Sequence, residues 1–201
     1  MSLAEVPTTE RIVLRSWSRR DKAPFARMNA NREVMEHFPS ALTRRQSDAL
    51  ADRFQAGIDE RGWGGWVVER REDGAFLGFV GLVPVSFEAS FTPAVEVGWR
   101  LDRSHWGRGY ATEGARAALD YAFGKLGLER VVSFTACTNR RSEAVMIRIG
   151  MTRVDEFDHP RLPLGHRLRR HVLYEVRPPA ERQGDLPFGA RTGQPVTSAT
   201  R

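Results

Sequence analysis

The residues best placed to do chemistry lie in one short run, Trp106-Gly107-Arg108-Gly109-Tyr110-Ala111-Thr112-Glu113. Ahead of it, Val95–Leu101 reads as a strand. Behind it, Ala115, Ala118, Leu119, Ala122, Phe123 and Leu126 form one helical stripe. A strand, a tight glycine turn and a helix aim successive backbone N–H groups, and the positive helix end, at a single point. That arrangement suits a phosphate or pyrophosphate. Gly107 and Gly109 let the main chain approach an anion closely and adopt positive φ, and Ala111 keeps the first turn uncrowded. One helix end contributes only about 0.3–1 kcal/mol per charge at an exposed site, so several donors must act together. The common phosphate motifs do not fit. G-x-x-x-x-G-K-[ST] is missing, and Thr112 stands where G-x-G-x-x-G needs its third glycine. Spacing alone is equally compatible with plain turn chemistry.

The surrounding elements must hold this run in place. Residues 11–17 alternate and suit a first strand. Ser18, with Asp21 three residues on, opens a helix carrying Phe25 and Met28. Thr43-Arg-Arg-Gln46 reads as a capping box for a second helix with Leu50, Phe54 and Ile58 on one side, and Gly62 to Gly65 break that pattern. Asp73-Gly74 joins strands near 66–71 and 76–85 as a hairpin. Beyond the stripe, Gly127 stops the helix, Val131–Ala136 is a buried strand, and Gly150 closes a short helix near 142–149. Two last strands lie near 152–157 and 171–176. The order β-α-α-β-β-β-α-β-α-β-β predicts an α/β (α+β) domain, a mostly antiparallel sheet with a βαβ unit in its middle. Residues 1–10 are expected to be a flexible lead and 11–177 the domain. Residues 178–201, rich in Pro, Gly, Ser and Thr without apolar period, are expected to be a disordered tail.

Composition excludes several classes. A chain of 201 residues suits one domain. A lone cysteine, Cys137, forms no internal disulfide and reads as a buried structural thiol. No apolar run approaches the ~20 residues of a membrane helix. The start, MSLAEVPTTE, has neither the basic nor the apolar region of a signal peptide, so a cytoplasmic location and no membrane partner are expected. The net charge of +6 is carried by arginine, with Lys22 and Lys125 the only lysines. These arginines scatter over all elements rather than lining one face, which argues against nucleic acid as the main ligand. Asp158, His159 and His166 match no metal spacing, and no metal is expected. A monomer or homodimer is expected.

The run 106–113 closely resembles the acetyl-CoA pyrophosphate loop of the GNAT N-acetyltransferase superfamily, and more narrowly its RimJ/RimL-like branch of ribosomal-protein N-terminal acetyltransferases. The superfamily loop is written [QR]-x-x-G-x-[GA]; Gly109 and Ala111 match it, while Trp106 stands at the first position. Glu96-Val-Gly-Trp-Arg-Leu101 resembles the strand before that loop. Asn139-Arg-Arg-Ser142, followed by Val145-Met-Ile-Arg-Ile-Gly150-Met151, resembles the branch's N-x-x-S…G-[FM] segment. The likeness runs from about Arg11 to Arg177. It implies the GNAT fold, with six to seven strands flanked by about four helices.

The resemblance also implies direct acetyl transfer from acetyl-CoA to a primary amine, with a protein N-terminal α-amine as one candidate. Acetyl-CoA is expected between the splayed strands Val95–Leu101 and Val131–Ala136. The backbone of Trp99, Arg100 and Leu101 would hold its arm, and residues Trp106, Gly107, Arg108, Gly109, Tyr110, Ala111 and Thr112 its pyrophosphate. Asn139 would hydrogen-bond the arm, although a plain helix N-cap is compatible. Ser142 would return a proton to sulfur, or else bond backbone in its first helical turn. Glu96 shares a strand face with Gly98 and Arg100 and is the candidate base, with a salt bridge to Arg100 as the structural alternative. Glu113 reads as helix-dipole support. An α-amine needs only ~1 kcal/mol to be neutral at pH 7, against ~4.6 for lysine, so a weak or water-relayed base suffices. The 157–166 loop and the 35–43 segment are expected to border the acceptor. A small-molecule amine acetyltransferase and a non-catalytic acyl-CoA-binding sensor remain alternatives.

Overall fold

The structure, a computed structural model, describes residues 7–179. The expected tail lies almost wholly outside the described residues, as do residues 1–6 of the expected lead. Residues 7–10 of that lead are hydrogen-bonded to the start of the domain, through Leu14 N–H to Pro7 O and Thr9 N–H to Ile12 O, both 2.9 Å.

Seven strands form one sheet: β1 (Ile12–Arg15), β2 (Gly65–Arg70), β3 (Phe76–Pro84), β4 (Val95–Leu101), β5 (Val131–Ala136), β6 (Thr152–Asp158) and β7 (Arg170–Val176). Four helices complete the domain: α1 (Lys22–Ala30), α2 (Arg44–Arg61), α3 (Tyr110–Gly124) and α4 (Arg140–Arg148). The spatial order is β1-β2-β3-β4-β5-β7-β6. Every neighbouring pair is antiparallel except β4 and β5, the parallel pair joined through α3. This is the expected mixed sheet with one βαβ unit at its centre.

Local chemistry sets the element ends. Thr43 and Gln46 form the expected capping box: Gln46 N–H donates to Thr43 Oγ1 at 3.3 Å and Thr43 N–H to Gln46 Oε1 at 2.8 Å. Gly62, at φ 80°, ends α2. Ser18 starts a 3-10 turn, Arg19–Asp21, rather than α1 itself. Buried Asp21 explains the difference. Its carboxylate accepts from Ser18 and from both terminal nitrogens of Arg15, which ties the turn to β1.

Strand alternation builds two cores. Val97 and Leu101 of β4 pack with Val80 of β3 against Ala115, Ala118 and Leu119 of α3, and Met146 of α4 joins them. On the other face Phe79 of β3 packs with Phe25 and Met28 of α1 and Ala51 of α2. Each fully buried side chain of this kind stabilises by about 1.5–3 kcal/mol. A third cluster, Phe91, Val132 and Leu173 with Phe87, Phe134 and Phe157, holds the 85–94 connection over the β5–β7–β6 half.

Glycine permits one close approach that the sheet requires. A Cβ on Gly81 of β3 would run into the backbone of Gly64 and Gly65 at the start of β2. Backbone cannot yield as a side-chain tip can, so Gly81→Ala should destabilise by about 1–3 kcal/mol, as overpacking does. Chemical denaturation checks this; a change below about 0.5 kcal/mol would mean the strands part freely there.

Candidate functional site

β4 and β5 pair at a single register point, Glu96 with Val132, and then diverge. The direction of the freed groups follows from alternation. Asp102 N–H donates to Leu77 O at 2.8 Å, so the even-numbered residues of β4 turn their N–H and C=O toward β3. The odd-numbered ones, Trp99 and Leu101, turn theirs toward the gap that β5 has left. The indole Nε1 of Trp106 occupies Leu101 O at 2.8 Å. Among the described residues, the N–H and C=O of Trp99 and the N–H of Leu101 have no partner along the strand edge.

The glycine turn stands at the end of that edge. Gly107 and Gly109 have φ of 74° and 84°, and a side chain at Gly107 would meet nothing within 4 Å. Gly109 is the N-cap of α3 and brings no side-chain cap, so the first helical hydrogen bond is Glu113 N–H to Gly109 O. The N–H groups of Tyr110, Ala111 and Thr112 point out of the helix end without a cap. A groove of about 1100 Å³ runs past the turn, lined among others by Thr9, Arg11, Gly109, Thr112, Arg116 and Arg148.

The segment leading into β1 braces this turn. Arg11 Nε donates to Glu113 Oε2 at 2.7 Å and Arg11 Nη1 to Arg108 O at 3.0 Å. Thr9 Oγ1 donates to Glu113 Oε1 at 2.5 Å, and the Arg11 guanidinium lies 4.9 Å from the Tyr110 ring centre. On the opposite flank, the Trp106 ring sits between the guanidiniums of Arg103 and Arg141, at 5.1 and 5.0 Å.

The two faces of the gap differ chemically. On the α1–α2 face lie Glu96, Gly98 and Arg100. Glu96 takes no hydrogen bond or ion pair among the described residues, and desolvation pushes its carboxyl up to about 8. It makes no salt bridge with Arg100, whose Nη1 donates to Asn29 Oδ1 at 2.7 Å while Nε is buried without a partner. On the α3–α4 face lie Thr135, Asn139 and Ser142. Asn139 accepts from Ser142 N–H at 3.2 Å and donates to Thr135 Oγ1 at 2.9 Å and Ser142 Oγ at 3.0 Å. The 31–43 segment spans the mouth. Glu33 pairs with Arg103 and Arg141, His37 Nδ1 meets Thr138 Oγ1 at 3.3 Å, and Arg167 donates to Glu36 O at 2.8 Å.

A divided parallel strand pair, a glycine turn and an uncapped helix end together form a seat for an extended ligand with an anionic end. Residues 11–152 match the acetyltransferase (GNAT) domain family. The chain belongs to the GNAT acetyltransferases. It is 34% identical over 146 residues to the Bacillus subtilis protein YkkB, a stretch that covers 71% of this chain and 83% of YkkB. The solved structure of a GNAT-family acetyltransferase from Bacillus anthracis superposes with TM-score 0.72 at 21% identity, covering 86% of this chain and 98% of that one. Spermidine N-acetyltransferase from Vibrio cholerae, in complex with CoA and spermine, superposes with TM-score 0.67 at 20% identity, covering 84% and 96%. At those identities the two structures bear on the fold alone.

As a GNAT enzyme the chain is an acetyl-CoA-dependent N-acetyltransferase. The structure brings Trp99, Leu101, Trp106 and 107–112 to one edge, with Glu96 and Ser142 on opposite faces of it. Arg100, expected to offer backbone to the cosubstrate, turns its main chain to β3 and its side chain to α1. Asn139 is the helix N-cap, accepting from Ser142 N–H, while the Ser142 hydroxyl accepts from Asn139 Nδ2 and bonds no backbone group among the described residues. Glu113 does more than support the helix dipole, since it anchors Arg11 and Thr9. That clamp joins residues 102 apart in sequence, and no local pattern signals it.

Glu96 has a consequence for stability. Its folded pKa, about 8, lies above its ordinary 4.5, so between those values the native state holds a proton that the unfolded chain has lost. Stability therefore falls as pH rises through that window. Glu96→Gln should close the gap: relative to the variant, the wild-type Tm declines from pH 5 to pH 8.5, and parallel curves would contradict this. Arg11→Ala should loosen the turn and weaken CoA binding by about 10-fold, on the scale of a lost charge-assisted bond. Calorimetry checks it, and an unchanged Kd would make the clamp incidental.

Proposed function

We propose that this enzyme transfers acetyl from acetyl-CoA directly to a primary α-amine, with the protein N-terminal amines of the RimJ/RimL-like branch as one substrate class. The observation that carries the reading is the free edge of β4 running into the uncapped N-terminus of α3. The open C=O of Trp99 and N–H of Leu101 suit the amide-bearing arm of CoA, as a neighbouring strand would. The N–H groups of residues 107–112 suit its diphosphate, with Gly107 and Gly109 leaving room for close approach.

Acetyl-CoA supplies an acetyl group already activated as a thioester. Within the gap, Trp99 N–H is the donor available to the oxygen on which negative charge develops. Glu96 takes the proton of the incoming amine, directly or through one water. Its pKa near 8 is close to that of an α-amine, which suits proton transfer near neutral pH. Ser142, on the opposite face, returns a proton to the departing thiolate; Asn139 Nδ2 donates to its Oγ at 3.0 Å. Base and acid are thus separated by the sheet itself, with amine and thiol on opposite sides of it.

A mass-spectrometric screen of peptides and small amines tests the acceptor. Acetylated N-terminal peptides support the branch reading, whereas turnover confined to polyamines would overturn it. For Glu96, kcat at saturating acceptor should rise with pH and level off above about 8, following loss of the carboxyl proton. Glu96→Gln should cost about 10²-fold and remove that limb. An unchanged profile would remove Glu96 as the base.

A further inference from the structure

The acceptor face of β4 carries a cation whose counter-charge is missing. Arg100 shares this face with Glu96 and Gly98, and its guanidinium lies 3.9 Å from the ring centre of Phe38, within the segment that spans the mouth. Asn29, a neutral amide, is its one hydrogen-bond partner among the described residues, and Nε is buried with none. Asn29 in turn donates to Ser47 at 2.8 Å, so the chain of contacts behind Arg100 ends without reaching a carboxylate. A guanidinium held this way is costly unless an anion joins it.

Between carboxyl and guanidinium the floor is bare. A side chain at Gly98 would meet only the Glu96 carboxylate, whose Oε1 lies 3.6 Å from the Cβ position. Glu96 thus leans along the strand toward Arg100, whose backbone lies two residues past Gly98, roughly 6.6 Å beyond that glycine. A carboxyl without a partner and a guanidinium short of one lie on the same strand face, with an open glycine between them.

Building on the acetyltransferase reading above, we propose that Arg100 binds a carboxylate on the acceptor while Glu96 takes the amine of the same molecule. The acceptor class is then an amine with a carboxylate a few ångströms away. Either a free amino acid or a peptide with an acidic residue at its N-terminus meets that description. Polyamines do not, because they would set a second cation against Arg100. The mouth adds a smaller bias of the same sign, since Arg103, Arg141 and Arg167 there stand against Glu33 and Glu36.

The test compares kcat/KM for matched pairs: a free amino acid against its amide, and a peptide beginning with Asp or Glu against its Asn or Gln counterpart. The wild type should prefer the acid by tenfold or more in one pair, and which pair it is identifies the source of the carboxylate. Arg100→Gln should bring that ratio near one, and Arg100→Lys should keep part of it. A wild-type ratio near one in both pairs overturns the proposal without any variant. So does a preference that survives in Arg100→Gln. Acetyl-CoA binding, followed by calorimetry on the same samples, separates the two readings. Normal binding with equal use of acid and amide defeats only the carboxylate site, while no binding and no turnover defeats both.

Discussion

A backbone amide that leaves its partner strand must be satisfied by something else, whether water, a side chain or a ligand. In this enzyme β4 loses β5 immediately after the Glu96–Val132 pair, in the middle of the sheet and not at its edge. Mid-sheet strands seldom leave amides unpaired, and here the alternation of β4 aims those of Trp99 and Leu101 into the opening. The same strand then feeds a turn whose glycines hold positive φ and a helix without a side-chain cap. A ligand shaped like a short strand with an anion at its end satisfies all of these groups at once.

The opening depends on distant bracing. The segment leading into β1 grips the glycine turn through Arg11 and Thr9 on Glu113, and Trp106 pins the end of β4 from the other side. The 31–43 segment reaches across to three further elements through Glu33, Glu36 and His37. Because the parting strands cannot support each other, these contacts carry the geometry instead. They also keep apart the two environments of the gap, a desolvated carboxylate with a poorly satisfied guanidinium on one face and an Asn–Ser–Thr cluster on the other.

Much of the fold was legible in the sequence because its signals are local. The capping box at Thr43, the hairpin at Asp73-Gly74 and the αL glycines at 62, 107 and 109 each act within a few residues, and each stands where the pattern put it. The order of all eleven strands and helices followed from such signals. The glycine turn was legible too, although only likeness to a family distinguished it from an ordinary turn. What escaped was long-range. The Arg11–Glu113 clamp and the Arg100–Asn29 bond join residues 102 and 71 apart, and neither partner advertises the other. Arg100 was read as a possible partner of Glu96 because they share a strand face. The packing of α1 decides otherwise, by placing Asn29 against the guanidinium.

Hydrogen exchange, resolved to single amides with and without CoA, tests the central claim most directly. Trp99, Leu101 and residues 110–112 should exchange readily in the free enzyme and become protected when CoA is added, while Arg100, already paired with β3, should change little. Slow exchange at Trp99 in the free enzyme, or CoA binding that leaves these five amides untouched, would show that the parted strand is not where the cosubstrate lies.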